Sequence, residues 1–452
     1  MIEVYSVGGY EEVGRNCTAV AYGDEMVIFD LGFNMERVVA LGDEEHVNIQ
    51  QMSVQSLRDI DAIPDDSVLQ GKKKKVVGIV SNHGHLDHIG AIPKMAGRYK
   101  CPIVGTPYTI ELIDHLDRES KAKLQNQLLV MNAGETIELS KNLTLEFVNM
   151  THSIPDTVLS VLHTPEGAIV YANDYKLDNF PQLGEMPDYK RIKKLGRQGV
   201  KLLIVETVRI EAERKTPSET VARAMLEDVL VGRQHENALF ITTFASHIER
   251  ISTILDLAGK MGRQPVMLGR SMHRYSTLAE KLGILEFPDN LQIFGRGKTI
   301  GNFLDKVKGQ RDRYMFICTG HQGEPGAALS RLANRDFPYQ IQPGDEFVFS
   351  SSVIPSPINQ DNHYRLTSKL KNQGARIFSD VHTSGHASKE DHRDLLLMLR
   401  PENVVPCHGP LRKLATYAEL CSEMNMMNEY TNREYALGQS VHLLHNGQIQ
   451  EI

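Results

Sequence analysis

Three histidines and an aspartate fall within the six residues His83-Gly84-His85-Leu86-Asp87-His88. The apolar run Val76-Val77-Gly78-Ile79-Val80 stands just before them, and with Ser81-Asn82 closing it, it reads as a buried strand running into a loop. Side chains at a strand end can converge on one point without being tied to a helix face. Imidazole and carboxylate donors suit zinc, manganese or iron rather than a thiolate site. One such histidine alone would read as a solvated loop residue; His-x-His-x-Asp-His reads as a metal loop. Three further residues, His152, Asp174 and His408, each follow an apolar run and precede a small or turn residue. Two metals about 3.5–4 Å apart need a shared carboxylate and an open face. Asp174 can bridge. His83, His85 and His152 would then hold one metal, and Asp87, His88 and His408 the other.

The elements that must position these residues are read from the rest of the chain. At 452 residues, two or three domains are expected. With 41% hydrophobic and 24% charged residues the composition is that of a globular protein. No stretch approaches the roughly 18 apolar residues of a membrane helix, and Met1-Ile2-Glu3-Val4 does not open a signal peptide. Five scattered cysteines without a Cys-x-x-Cys pair argue for a reducing cytoplasm, against a disulfide framework and against a structural zinc cage. A net charge of −7 gives no global pull toward nucleic acid, so a polyanion would need a locally basic groove.

Residues 1–35 read as a β meander whose third run ends in Asp30, and residues 36–75 as polar and irregular. The lysines at 72–75 read as a solvated turn. A helix is expected over 89–98, beginning just after His88, and another over 107–121 with proline at its first position. Strands at 128–131, 136–139 and 143–149 and a hairpin at 158–163 and 168–172 follow. From about 200 the runs at 202–205, 239–242, 265–268 and 347–350 alternate with helical spacing, the pattern of a doubly wound parallel α/β unit. A run at 375–379, a helix at 389–400, the run into His408, a last helix from Leu411 and a β tail over 440–452 complete the chain. The middle unit reads as inserted into the first domain, with limits at 1–200, 201–365 and 366–452.

The order of these motifs resembles the metallo-β-lactamase superfamily, which implies a four-layer αβ/βα sandwich. Asp30 matches its first motif, a structural acid beneath the metal loop; His83, His85, Asp87 and His88 match the second, His152 the third and Asp174 the fourth. The nucleic-acid-processing branch called β-CASP adds three motifs around an inserted α/β domain, matched by Glu206, by His386 in Thr383-Ser384-Gly385-His386-Ala387, and by His408. Gly8-Gly9-Tyr10-Glu11-Glu12-Val13-Gly14-Arg15-Asn16, Thr242-Thr243-Phe244-Ala245-Ser246 and Thr319-Gly320-His321-Gln322-Gly323-Glu324-Pro325 are similar to signatures of the ribonuclease J family, and the resemblance spans nearly the whole chain. The short C-terminus makes the archaeal form of that family the expectation. Two departures stand out: Asn82 where the superfamily often has threonine, and His321 where the family usually has serine.

The resemblance implies two divalent ions per subunit, zinc first and manganese as the alternative. It gives Asp87 the proton of an attacking water, His386 the scissile phosphate and leaving oxygen, and Glu206 the orientation of His386. Phe244, Ala245 and Ser246, together with His382, Thr383, Ser384, Gly385 and His386, match substrate-binding segments; Arg270 is a further candidate cation. The implied activity is 5′→3′ exonucleolytic hydrolysis of single-stranded RNA with a preference for a 5′-monophosphate, and endonucleolytic cleavage as a second activity, in RNA decay and maturation. DNA is not the expected main substrate, and a homodimer is. The alternatives are a 3′-end-processing endonuclease or DNA nuclease of the same branch, a small-molecule hydrolase, and a catalytically silent RNA-binding scaffold.

Overall fold

In the strand Cys17–Tyr22, Cys17, Ala19 and Ala21 face one core while Val20 and Tyr22 face another. That period of two is the signature of a sheet buried on both sides. The computed structural model describes residues 1–42, 49–71, 74–120, 123–231, 236–354, 356–431 and 440–452. Among them, Cys17–Tyr22 belongs to a seven-stranded sheet in the order Gln448–Glu451, Ile2–Gly8, Cys17–Tyr22, Glu25–Phe29, Lys75–Ser81, Ile103–Gly105, Leu128–Val130. A second seven-stranded sheet runs Ser440–Val441, Asn403–Cys407, Val200–Glu206, Gly167–Ala172, Val158–Thr164, Thr144–Asn149, Thr136–Glu138. The two sheets pack face to face through one apolar layer, with Val20, Phe29 and Val80 on one side and Leu145, Tyr171 and Ile204 on the other.

Helices cover the outer faces. Pro107–Glu119, with proline at its start as the sequence predicts, packs Tyr108, Ile113 and Leu116 against the first sheet. Tyr189–Gln198, Lys389–Leu399 and Leu411–Thr431 cover the second with Leu195, Leu395 and Leu420. The result is the four-layer αβ/βα sandwich of the metallo-β-lactamase fold.

A third sheet of six strands, parallel throughout, runs Gln292–Phe294, Gln264–Leu268, Tyr314–Cys318, Leu239–Thr242, Glu346–Phe349, Arg376–Phe378. The chain winds outward from Leu239–Thr242 to one edge, returns beside it, and winds to the other edge. This is the doubly wound, inserted unit. Its topological switch point, the place where open α/β sheets form a ligand crevice, lies at the carboxyl ends of Leu239–Thr242 and Tyr314–Cys318, where the outgoing connections diverge.

Several expectations are corrected. The limits at 201 and 365 cut across sheets: Val200–Glu206 pairs in parallel with Asn403–Cys407 in the second sheet, and Arg376–Phe378 pairs with Glu346–Phe349 in the third. A short apolar run carries no mark of which sheet will take it, so local pattern could not place these edges. The expected helix at 89–98 breaks into Leu86–Ile89, Ile92–Met95 and the 3-10 turn Ala96–Arg98. Pro93 lacks the amide hydrogen that a continuous helix needs. Residues 36–75 hold the helices Met35–Gly42 and Val54–Asp59, the second burying Leu57. The β tail is two short strands, Ser440–Val441 and Gln448–Glu451, which close the edges of opposite sheets. Of the lysines at 72–75, Lys72 and Lys73 lie outside the described residues, and Lys74 pairs with Glu3 at 2.6 Å.

Candidate metal centre

The strand Lys75–Ser81 delivers His83, and His85 caps the single turn Leu86–Ile89 that carries Asp87 and His88. That turn lies against Gly32, where a Cβ would stand 1.6 Å from the Asp87 carbonyl oxygen, so only glycine lets the backbones meet. His152 follows Thr144–Asn149, Asp174 follows Gly167–Ala172, and His408 follows Asn403–Cys407. Asp30, Asp174 and His408 all adopt left-handed backbone, with φ of 61°, 61° and 56°. Such conformations in residues other than glycine cost about 1–3 kcal/mol and collect where the surroundings fix a site.

All seven side chains converge. His83, His85, His152 and Asp174 form one group and Asp87, His88, Asp174 and His408 a second, with donor atoms within 4.8 Å of one another in each. Asp174 joins the two: its Oδ2 lies 3.5 Å from Nε2 of His83 and of His152 and 3.2 Å from His88 Nε2, while Oδ1 lies 3.5 Å from His408 Nε2. Asp87 Oδ2 stands 3.7 Å from both His88 and His408, on the more exposed side.

The outer partners fix which nitrogen faces inward. His88 Nδ1 meets Asp30 Oδ2 at 2.7 Å, and that oxygen also accepts from the Tyr171 hydroxyl at 2.8 Å. His408 Nδ1 lies 2.6 Å from Asn16 Oδ1, and His152 Nδ1 lies 2.6 Å from the Gly385 carbonyl. Burial holds His83 and His85 well below the ordinary histidine pKa and His152 down at about 4, keeping all three neutral, the form in which imidazole ligates. Burial also opposes charge on His88, but Asp30, Asp174 and Asp87 outweigh it and push its pKa well up.

These residues fit divalent metal. Both ring nitrogens of His83 and Oδ1 of Asp174 are buried without a hydrogen-bond partner, a cost the protein would otherwise leave unmet. The donors are all nitrogen and oxygen, and Cys407 beside His408 packs in the intersheet core with its thiol pushed well up by burial. The set suits zinc or manganese.

Glu206 is fully buried, and both its oxygens lie 3.2 Å from His386 Nδ1. Burial lowers the His386 pKa, but Glu206 and Asp174 outweigh it and raise it to about 9. His386 Nδ1 is 3.7 Å from Asp174 Oδ1, so this pair borders the shared carboxylate.

Among the residues expected to meet substrate, Ser246 places its hydroxyl 3.1 Å from His85 Nε2. Phe244 stands edge-on to His321 with ring centroids 4.2 Å apart, and Ala245, between Phe244 and Ser246 in sequence, is buried. His321 is buried with both ring nitrogens unpartnered, its pKa lowered to about 3 by burial. Ser384 Oγ accepts from the His386 amide at 3.1 Å. Arg270 is exposed at the start of Arg270–Lys281, at the carboxyl end of Gln264–Leu268. His382 and Thr383 turn to a buried ion pair, Arg250 with Glu219. Neither member of that pair is evident from sequence, and Asn16 could have been found only through the motif at 8–16.

The family model "Ribonuclease J, beta-CASP domain" matches residues 236–368, and "Zn-dependent metallo-hydrolase RNA specificity domain" matches 375–431. A ribonuclease J of Methanocaldococcus jannaschii is 48% identical over 99% of this chain and 98% of its own length. The chain belongs to the ribonuclease J family. A ribonuclease J of Pyrococcus abyssi is 47% identical over 100% of this chain and 97% of its own length, and one from Synechocystis 32% over 95% and 63%. Similarity to ribonuclease J of archaea thus runs end to end. A crystal structure of a protein of unknown function from Enterococcus faecalis V583 has a TM-score of 0.67 at 16% identity over 99% of each chain, a likeness of fold alone. In this chain Asn82 is fully buried, and its Nδ2 donates to the Tyr171 carbonyl at 3.0 Å, so the departure at this position serves hydrogen bonding beneath the loop.

Proposed function

We propose that the protein is a metal-dependent ribonuclease that hydrolyses RNA phosphodiesters, chiefly 5′→3′ from a 5′-monophosphate end, with internal cleavage as a second activity. The observation that carries this reading is the pair of four-donor groups sharing Asp174, bordered by the Glu206–His386 pair. His83, His85, His152 and Asp174 would hold one divalent ion, and Asp87, His88, His408 and Asp174 a second, zinc or manganese. Bound there, such ions offset the charge of a phosphodiester and acidify water. Asp87, on the exposed side, accepts the proton of the attacking water. His386, kept protonated by buried Glu206, faces the phosphate and donates to the leaving oxygen. Asp30 holds His88 in its tautomer.

The crevice of the third sheet receives the RNA end. Phe244, Ala245, Ser246, Ser384, Gly385 and Arg270 line the approach in this reading, and His382 and Thr383 support it from behind. The names of the relatives and of the matched RNA specificity domain support RNA as substrate, which we read as single-stranded. We read the protein as a cytoplasmic homodimer; no helix among the described residues is long and apolar enough to cross a membrane. A silent scaffold would not need the complete donor set or the Glu206–His386 pair.

End-labelled RNA bearing a 5′-monophosphate, triphosphate or hydroxyl tests the reading in the presence of zinc or manganese. Labelled mononucleotide should appear first, fastest from the monophosphate. Internal fragments appearing first would instead support the endonuclease of 3′-end-processing type.

A further inference from the structure

Arg250, in the first turn of Ile248–Lys260, is completely buried. Taking a guanidinium out of water costs several kcal/mol unless its donors are matched in good geometry. Here they are. Nε donates to Glu219 Oε2 at 3.1 Å, and Nη2 donates to both Glu219 oxygens. Nη1 donates to the Ser350 carbonyl at 3.0 Å and its hydroxyl at 2.7 Å, and lies 3.3 Å from His382 Nδ1. Glu219, itself 2% exposed, takes Thr383 Oγ1 at 3.5 Å and stands 3.4 Å from His247 Nε2.

These partners belong to two different parts of the molecule. Ser350 directly follows the strand Glu346–Phe349 of the third sheet, and its hydroxyl donates to the Val381 carbonyl at 2.9 Å. Residues 381–386 then cross as a strap to the metal centre. At the far end the Ala387 amide donates to the Tyr175 carbonyl at 2.7 Å, and Thr216 Oγ1 donates to the His386 carbonyl at 2.7 Å. The strap is thus anchored at one end by the Arg250 guanidinium and at the other by Tyr175 and Thr216, in the segments that follow the strands Gly167–Ala172 and Val200–Glu206 of the second sheet. His386 sits at its end, beside Glu206.

A buried ion pair of this kind is poor value as a stabiliser, since apolar residues of similar volume often do as well. Its forked geometry is better suited to fixing where a backbone lies. We propose that Arg250 is a positioning residue: clamped by Glu219, its guanidinium fixes the strap 381–386 and so sets where His386 meets Glu206 and the metal centre. The inserted domain thereby contributes to catalysis through geometry as well as by receiving RNA. This inference rests on the ribonuclease reading above.

A double-mutant cycle on the metal-loaded full chain tests it, with wild type, Arg250→Lys, His386→Ala and the double variant compared in cleavage of 5′-monophosphorylated RNA. Arg250→Lys keeps the charge and loses the fork. It should lower kcat about 10–100-fold with KM and metal content nearly unchanged, and cost under about threefold in the His386→Ala background. If Arg250→Lys does not fold, Ser350→Ala replaces it. That variant keeps the ion pair, removes the hydroxyl that ties it to Val381, and should lower kcat about fivefold, again only when His386 is present. Losses that add in full, or that appear only in KM, would overturn the proposal alone. A wild-type protein that cleaves no RNA would overturn the ribonuclease reading and the proposal with it.

Discussion

Ser246 reaches from the inserted sheet to within hydrogen-bond distance of His85. A residue that matches a substrate-binding segment is therefore also an outer partner of the metal loop. Ser246→Ala should weaken metal binding about tenfold, the low end for loss of such a partner, and slow cleavage in step. Titrating the stripped protein with zinc while following cleavage checks both. Metal affinity unchanged within twofold would leave Ser246 to RNA alone. His85→Ala should abolish cleavage whatever the 5′ group and cut metal content, as measured by elemental analysis of purified protein. The gathering of His83, His85, Asp87 and His88 at one point was legible because they lie in one short run. Asn16 was not, since its partner His408 is 392 positions away and an asparagine after Arg15 carries no periodicity. Glu206 could be recognised only by resemblance; its burial and its hold on His386 needed the structure.

At the level of elements, the strap 381–386 is held close to the loop of His152. A Cβ on Gly385 would stand 2.6 Å from Ser153 Cβ, and the Gly385 carbonyl fixes the His152 tautomer. Gly385→Ala should therefore lower kcat about 10–100-fold while thermal stability falls by only about 1–2 kcal/mol. Steady-state kinetics beside calorimetry would reveal the split, and equal kinetics in the two proteins would refute it. The first turn of Ile248–Lys260 also holds Glu249, whose carboxyl is raised to about 8, first by burial and then by Glu219. A carboxylic acid with a raised native pKa is neutral in both states at low pH and costs stability once the unfolded chain ionises. The cost grows from about pH 4.5 to about pH 8 and is constant above. Glu249→Gln should accordingly stabilise the protein by roughly 3 kcal/mol at pH 7 and by almost nothing below pH 4.5. Denaturant melts across that range measure it; a gain independent of pH would be contrary. Strand periodicity made most of the sheets legible. It failed for the run at 202–205, because four apolar residues fit the second or third sheet equally well, and for 89–98, because Pro93 breaks a pattern that otherwise repeats as a helix.

For the whole molecule, the net charge of −7 and a polyanionic substrate pull in opposite directions. Binding must come from local phosphate contacts, each of which releases counterions. Raising salt from about 50 to about 200 mM should weaken RNA binding by at least about tenfold, as fluorescence anisotropy with catalytically dead protein would report. A flat salt response would place recognition on the bases instead. The doubly wound insertion was legible from strand–helix alternation, but its meeting with the metal centre through Arg250, Ser350 and the strap depends on contacts about 100 positions apart. The second sheet, finally, has a bearing on how the protein is made. Its strand Asn403–Cys407 lies between Val200–Glu206 and Ser440–Val441, and His408 leaves its end. The proposed ligand set lacks a member until His408 has left the ribosome, long after the neighbouring strand Val200–Glu206 has done so. A nascent chain is therefore without a complete centre while everything before His408 is made, still tethered beside the message that encodes it.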